Sequence, residues 1–208
     1  MKSIAIWAAA LCVGFGGGAA KAALVVGATI SAQQDGSNYD YTIVLTNSAA
    51  STVNVGTFWF AWIPGQDYLK TSPSSITSPA GWSSAITHFP DAPTNGYAIQ
   101  WVAGSGASPD PTKAITPGSS LTFGFTSADA PSEVFGNSTF FNHPSVLTSF
   151  VYEGAPFRGE SLQFTVAAVP EPSSLALAAF GTLGGAVALR RRRAKAPGSG
   201  ARVDSINS

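Results

Sequence analysis

Apolar and polar positions alternate with a period of two through most of the middle of this chain. The cleanest run is Tyr39–Thr46, where Tyr39, Tyr41, Ile43 and Leu45 fall on one side and Asp40, Thr42 and Thr46 on the other. That period belongs to a strand with one face buried and one wet. Leu24–Gln33 precedes it as a β-branched strand, and Asp35-Gly36-Ser37-Asn38 between them suits a turn with positive φ, so the two predict a hairpin. Val53–Ile63 reads as a third strand, with Phe58 and Phe60 on one face, Trp59 and Ala61 on the other, and Pro64-Gly65 as its stop. Gln66–Ser84, punctuated by Pro73, Pro79 and Gly81, reads as a long loop with little regular structure. Ser84–Phe89 and Tyr97–Ala103 predict strands around a Pro90–Asn95 turn, and Gly104–Pro111 a loop. After Pro117-Gly118, Leu121, Phe123 and Phe125 alternate with Thr122, Gly124 and Thr126. Asp129–Pro144 reads as a polar and aromatic loop. Val146–Tyr152 and Ser161–Val169 complete the strands, the last with Leu162, Phe164 and Val166 inward.

About eight strands, a turn signal roughly every ten residues and no helical period predict an all-β fold, an antiparallel β-sandwich of the immunoglobulin or jelly-roll kind. No fixed-period repeat interrupts it.

The two ends break this pattern. Met1–Ala22 has Lys2, the apolar stretch Ile4–Gly18 and then Ala20-Lys21-Ala22, which reads as a helical secretory signal peptide with an A-x-A-type cleavage site formed by Ala20 and Ala22 and cut after Ala22, with Lys21 leaving the bond itself open. Cys12, the one cysteine, falls inside that leader, so the mature chain has neither a disulfide nor a thiol nucleophile. At the other end, Leu175–Leu189 carries no charge and ends on Arg190-Arg191-Arg192-Arg193. Fifteen residues rise about 22 Å as a helix, which spans a membrane if the flanking serines and the first arginine reach the interface. The arginines hold their end on the cytoplasmic side. Ala194–Ser208, rich in Gly, Ser and Ala, reads as a disordered cytoplasmic tail.

Val169-Pro170-Glu171-Pro172, a short hydrophobic helix and an arginine cluster, in that order, resemble the PEP-CTERM sorting signal of bacterial exported proteins. The resemblance covers Val169–Arg193. It implies recognition and removal of the signal by an exosortase in the inner membrane, and an association with exopolysaccharide and biofilm. Family members usually stop within a few residues of the arginines, whereas this chain runs on to Ser208. Phe58-Trp59-Phe60, Pro79-Ala80-Gly81-Trp82 and Ile115-Thr116-Pro117-Gly118 are also similar to stretches of uncharacterised PEP-CTERM surface proteins, which implies a shared fold and no known activity. The expected organisation is a signal peptide over residues 1–22, an exported sandwich over 23–168, the sorting signal over 169–193 and the tail over 194–208.

Charge changes the picture once the chain is divided. The whole has a formal charge of zero, but residues 23–168 hold Lys70, Lys113 and Arg158 against nine acidic residues, a net −6. A mildly acidic domain without a basic patch is a poor partner for nucleic acid. About 146 residues suffice for one core without disulfides.

Candidate chemistry is thin. His88 and His143 are each isolated, and no H-x-x-x-H, C-x-x-C, G-x-S-x-G or P-loop pattern occurs. Glu133, Glu153 and Glu160 offer a nominal glycosidase pair, as any acidic sandwich does. Asp35-Gly36-Ser37-Asn38-Tyr39-Asp40 loosely resembles a calcium loop but lacks its length and terminal glutamate, so a hairpin turn is the simpler reading. Trp59, Trp62, Trp82 and Trp101 with Tyr68 and Tyr97 are many large aromatics for one domain. Trp82, in a Pro/Gly-rich loop, and then Tyr68 are the candidate glycan contacts, while Trp59 and Trp101 alternate with apolar neighbours as core residues do. The expectation is a non-enzymatic surface or matrix protein with no catalytic residue, metal or cofactor. Its partners are the inner membrane, an exosortase-like enzyme and exopolysaccharide. It is anchored transiently in the inner membrane before reaching the cell surface or medium. The alternative is a carbohydrate-binding module using loop aromatics.

Overall fold

The computed structural model describes residues 23–88, 95–106 and 108–169. The signal peptide with Ala20 and Ala22, most of the Pro90–Asn95 turn, Pro170-Glu171-Pro172, the span Leu175–Leu189, the four arginines and the tail lie outside the described residues.

The predicted hairpin forms first. β1 (Val26–Asp35) and β2 (Asn38–Asn47) pair antiparallel over ten residue pairs, from Val26↔Asn47 to Asp35↔Asn38, around Gly36 at φ 60°. Tyr41, Ile43 and Leu45 are buried and Asp40, Thr42 and Thr46 exposed, as the alternation requires.

The third predicted strand is broken. β3 (Thr57–Phe60) ends at Ala61, whose φ of 56° puts an alanine in the left-handed region, and the chain re-enters as β4 (Trp62–Ile63). Pro64-Gly65 is then the turn of a small hairpin to β5 (Gln66–Asp67), with Gly65 at φ 82°. Residues 66–84 are accordingly more regular than their turn residues predict. β6 (Ser75–Thr77) lies in this stretch, and β7 (Trp82–His88) starts two residues before the predicted Ser84. Strands of two or three residues are too short to show a period, so turn residues dominate their sequence.

β8 spans Tyr97–Ala103, as its pattern predicts. A 3-10 turn (Pro111–Lys113), capped by Asp110, leads to β9 (Ser120–Ser127). The expected loop after it contains a single helical turn, α1 (Pro131–Val134), with Pro131 at its start and the Ala130 N–H donating to Glu133 Oε2 at 3.0 Å. β10 (Thr148–Tyr152) and β11 (Ser161–Thr165) follow, then β12 (Ala167–Ala168).

These strands build two five-stranded sheets, ordered β12-β1-β2-β9-β6 and β11-β10-β3-β8-β7, with β4–β5 apart. The pairing of β12 with β1 is parallel and the other strand pairs are antiparallel. The fold is the expected antiparallel β-sandwich, with more and shorter strands than eight.

Ile30, Ile43, Leu45, Phe123 and Phe125 from one sheet meet Phe58, Phe60, Ile99, Trp101 and Val151 from the other in one buried cluster. Its centre is aromatic, with Phe58 stacked on Trp101 at 5.4 Å and Phe123 5.2 Å from Trp101. The Tyr41 hydroxyl donates to the Asp129 carbonyl at 2.6 Å, tying the hairpin to the segment that leads into α1. Burial, with the Asp129 charge second, raises the Tyr41 pKa well above the ordinary tyrosine range.

Candidate functional site

The final predicted strand, Ser161–Val169, does not run straight through one sheet. β11 is an edge of the second sheet and β12 an edge of the first, so the chain changes sheets at Val166. Val166 is 1% exposed, its side chain sits in the core cluster, and its N–H donates to the Leu147 carbonyl at 3.1 Å. Half-buried Leu162 and Phe164 pack on the same core, which satisfies the predicted inward set. Beyond Val166 the chain lies along β1 with Thr29↔Ala167 and Ile30↔Ala168 as partners, and the Val169 N–H donates to the Ile30 carbonyl at 2.8 Å. Ala167 and Ala168 are exposed and Val169 is 43% exposed. Pro170 comes next in sequence, and with no N–H it cannot extend a ladder. The sandwich therefore holds the chain up to the residue before Pro-Glu-Pro.

The aromatic candidates are placed differently from expectation. Trp82 is 7% exposed and Tyr68 2% exposed, so neither is a free platform for sugar. Gly81, at φ 80°, turns the chain so that Trp82 opens β7 with its indole inward, edge-on to Phe123 at 5.2 Å. The Trp82 Nε1–H donates to the Lys113 carbonyl at 3.0 Å. Tyr68 packs edge-on against Phe141 and donates its hydroxyl to Gln66 Oε1 at 2.8 Å. Trp101 fills the core, as its alternation predicts.

Trp59 faces the opposite side of its sheet, where it stacks on Trp62 at 4.3 Å over Ala98 and Tyr152. Phe157, at φ 63° and 64% exposed, leans on Trp59, Trp62 and Tyr152 at 6.2, 5.9 and 5.6 Å. This outer aromatic patch was hidden in the sequence, because the reversal at Ala61 brings Trp62 onto Trp59 and no spacing rule signals it.

Several of the acidic candidates are engaged in local bonds. Glu133 pairs with Lys70 at 2.8 Å and accepts from the Ala130 N–H, and these bonds hold its pKa below the usual carboxylate range. Glu153 Oε2 accepts from the Glu160 N–H at 3.2 Å, and Asp110 accepts from the Thr112 N–H and hydroxyl at 2.9 and 2.6 Å. Asp110 and Glu153 border a cavity of about 230 Å³ that Gly56, Ala103, Pro109 and Ala155 also line. Asp35 and Asn38 close the β1–β2 turn, and Asp40 accepts from the Thr126 hydroxyl at 2.6 Å, so this stretch is a hairpin. His88 stacks on Tyr97 at 4.4 Å with its ring nitrogen 2.9 Å from Asn95 Oδ1. His143 is exposed with φ at 77°. Among the described residues no group of three or more His, Cys, Asp or Glu is placed to hold a metal ion. No helix among them is long and apolar enough to cross a membrane.

Sequence reasoning missed Asp67. It is 0% exposed in β5, and neither carboxylate oxygen has a hydrogen-bond partner among the described residues. The Thr87 hydroxyl lies beside it but outside hydrogen-bond geometry, and burial pushes the Asp67 pKa up to about 6 against the smaller opposing effects of Thr87 and His88.

Comparison with known proteins agrees with the exit geometry. No curated protein matches the chain. Among solved structures it is similar to an inactive mutant of the GH20 exo-β-N-acetylglucosaminidase from Vibrio harveyi, at 10% identity and a TM-score of 0.38. That match covers 70% of this chain and 18% of the other, so this chain spans less than a fifth of that protein. A family model, the PEP-CTERM protein-sorting motif, matches residues 168–193, beginning inside β12. The chain thus carries the PEP-CTERM protein-sorting motif of exported proteins, which implies processing by an exosortase at the membrane.

Proposed function

We propose that this chain is a non-enzymatic protein of the cell surface or extracellular matrix. It is held transiently by Leu175–Leu189 and processed near Pro170-Glu171-Pro172, and the sandwich is its mature working part within an exopolysaccharide matrix. The observation that carries this reading is the junction itself: the matched motif starts at residue 168, and Val169, the last of the described residues, is still hydrogen-bonded to the fold. Cargo and signal meet without a spacer, since the match begins within β12. Glu133 and Glu153, two of the three candidate carboxylates, are each committed to a local bond, which favours a non-enzymatic reading. Intact mass of the protein from the envelope and medium of its native host tests the reading. A species ending between Pro170 and Pro172 is expected, and it disappears when Pro170→Ala and Pro172→Ala are combined. Mature protein that retains Arg190 and the residues after it would mean a plain membrane anchor instead.

A glycan-binding role is the second reading, and Phe157 favours it, since its ring is 64% exposed and rests on Trp59 and Trp62, which are themselves buried. On this reading Phe157→Ala weakens retention on the host's immobilised exopolysaccharide at least several-fold without changing the unfolding midpoint by more than about 1 kcal/mol in stability. Unchanged retention would remove the patch from consideration.

A further inference from the structure

We propose that β12 is a detachable latch, and that the processing enzyme acts on the chain only when Ala167, Ala168 and Val169 have come off β1. The inference rests on the sorting reading above and adds the conformation in which the substrate is recognised. A transpeptidase or protease that reads a linear motif grips the chain in extended form on both sides of the bond it breaks, using backbone N–H and C=O groups on either side. Upstream of Pro170 the groups on one edge of the chain are already used, those that face β1. Ala167 and Ala168 are in ladder register with Thr29 and Ile30, and the Val169 N–H is bonded to the Ile30 carbonyl. An enzyme that takes the chain by both edges therefore competes with β1 for one of them.

The structure makes the release local and cheap. Val166 is the fixed point, because its side chain is buried and its N–H is bonded to Leu147 in the other sheet. Past it, two exposed alanines and a part-exposed valine bury little apolar surface. A two-residue parallel edge strand held by two or three net hydrogen bonds is undocked in roughly one molecule in a hundred. The rest of the sandwich need not open, since β11 and β1 keep their other partners.

Locking the latch tests this in the full chain. Thr29 and Ala167 are register partners, both exposed, and the mature domain has no cysteine of its own. Thr29→Cys with Ala167→Cys places a disulfide across the two strands, within the Cα separation that neighbouring strands offer. Pulse-chase in the native host, read as conversion of precursor to mature mass, is expected to show no conversion of the cross-linked form, which cannot reach the undocked state. Each single cysteine variant converts at the wild-type rate, and reductant restores the double variant. A second variant separates latching from damage to the fold: inserting Gly-Ser-Gly-Ser-Val between Val169 and Pro170 of the locked chain keeps Val-Pro-Glu-Pro and supplies free chain upstream, so conversion returns. Conversion of the cross-linked chain at the wild-type rate overturns the latch, as does an insertion that leaves the locked chain unconverted. Failure of the sorting reading looks different, because the wild-type chain then gives no mature product.

Discussion

Replacing Trp101 by alanine is expected to remove about 3 kcal/mol or more from the stability of the mature domain, the largest effect of any single truncation in the core. Trp101 has 0% exposure, stacks on Phe58 within 11° of parallel and touches Phe123, so its loss leaves a cavity between both sheets. Truncations of this size cost about 3–5 kcal/mol, the removed contacts and the unfilled space adding together. One term works the other way. The Trp101 Nε1–H is buried with no partner among the described residues, so removing it ends a desolvation penalty of about 1 kcal/mol or more. Trp101→Phe separates the two, since it keeps a ring on Phe58 and deletes the unpaired donor. Urea denaturation should show the phenylalanine variant within about 1.5 kcal/mol of wild type and the alanine variant far below it. Equal losses in both would mean that the stacking geometry rather than filled volume sets the stability of the core.

Much of this architecture was legible because β-structure writes a short-range signal where a strand is long and half-buried. β2 and β9 follow directly from alternation, and Gly36 identifies the fold's first turn. The signal fails where tertiary contacts decide. Ala61 adopts a left-handed φ that alanine does not announce, and this one residue splits a predicted strand and moves Trp62 onto Trp59. Trp82 looked exposed because proline and glycine surround it, yet Gly81 is what lets its indole turn inward, so the same residue that suggested a loop produced burial. Pro170-Glu171-Pro172 was legible for a different reason. That motif is matched as linear sequence, whereas the switch of sheets at Val166 depends on an edge of β1 more than a hundred residues earlier.

Asp67→Asn is expected to stabilise the domain at neutral pH and to flatten its stability between pH 4 and pH 6. Burial raises the folded-state pKa of Asp67 from 3.8 to about 6, so the folded protein holds this proton more tightly than the unfolded chain does. The favourable contribution is complete below pH 4, where both states are protonated. It is lost as pH rises toward 6, and above that the folded domain carries a buried carboxylate without a partner among the described residues. The gap between the two pKa values corresponds to about 2–3 kcal/mol over that window. Glu133 and Asp110 shift in the opposite direction and are solvent-accessible, so they make wild type gain slightly where Asp67 makes it lose. The informative quantity is therefore the difference between wild type and Asp67→Asn, measured by urea midpoints at pH 4, 5, 6 and 8. That difference should grow in favour of the asparagine variant up to pH 6 and then level off, because an amide keeps a donor for the neighbouring Thr87 hydroxyl and cannot ionise. A constant difference across the series would mean that the carboxylate has a partner in solution, and the β4–β5 hairpin would then be held by a charge interaction instead of resisting one.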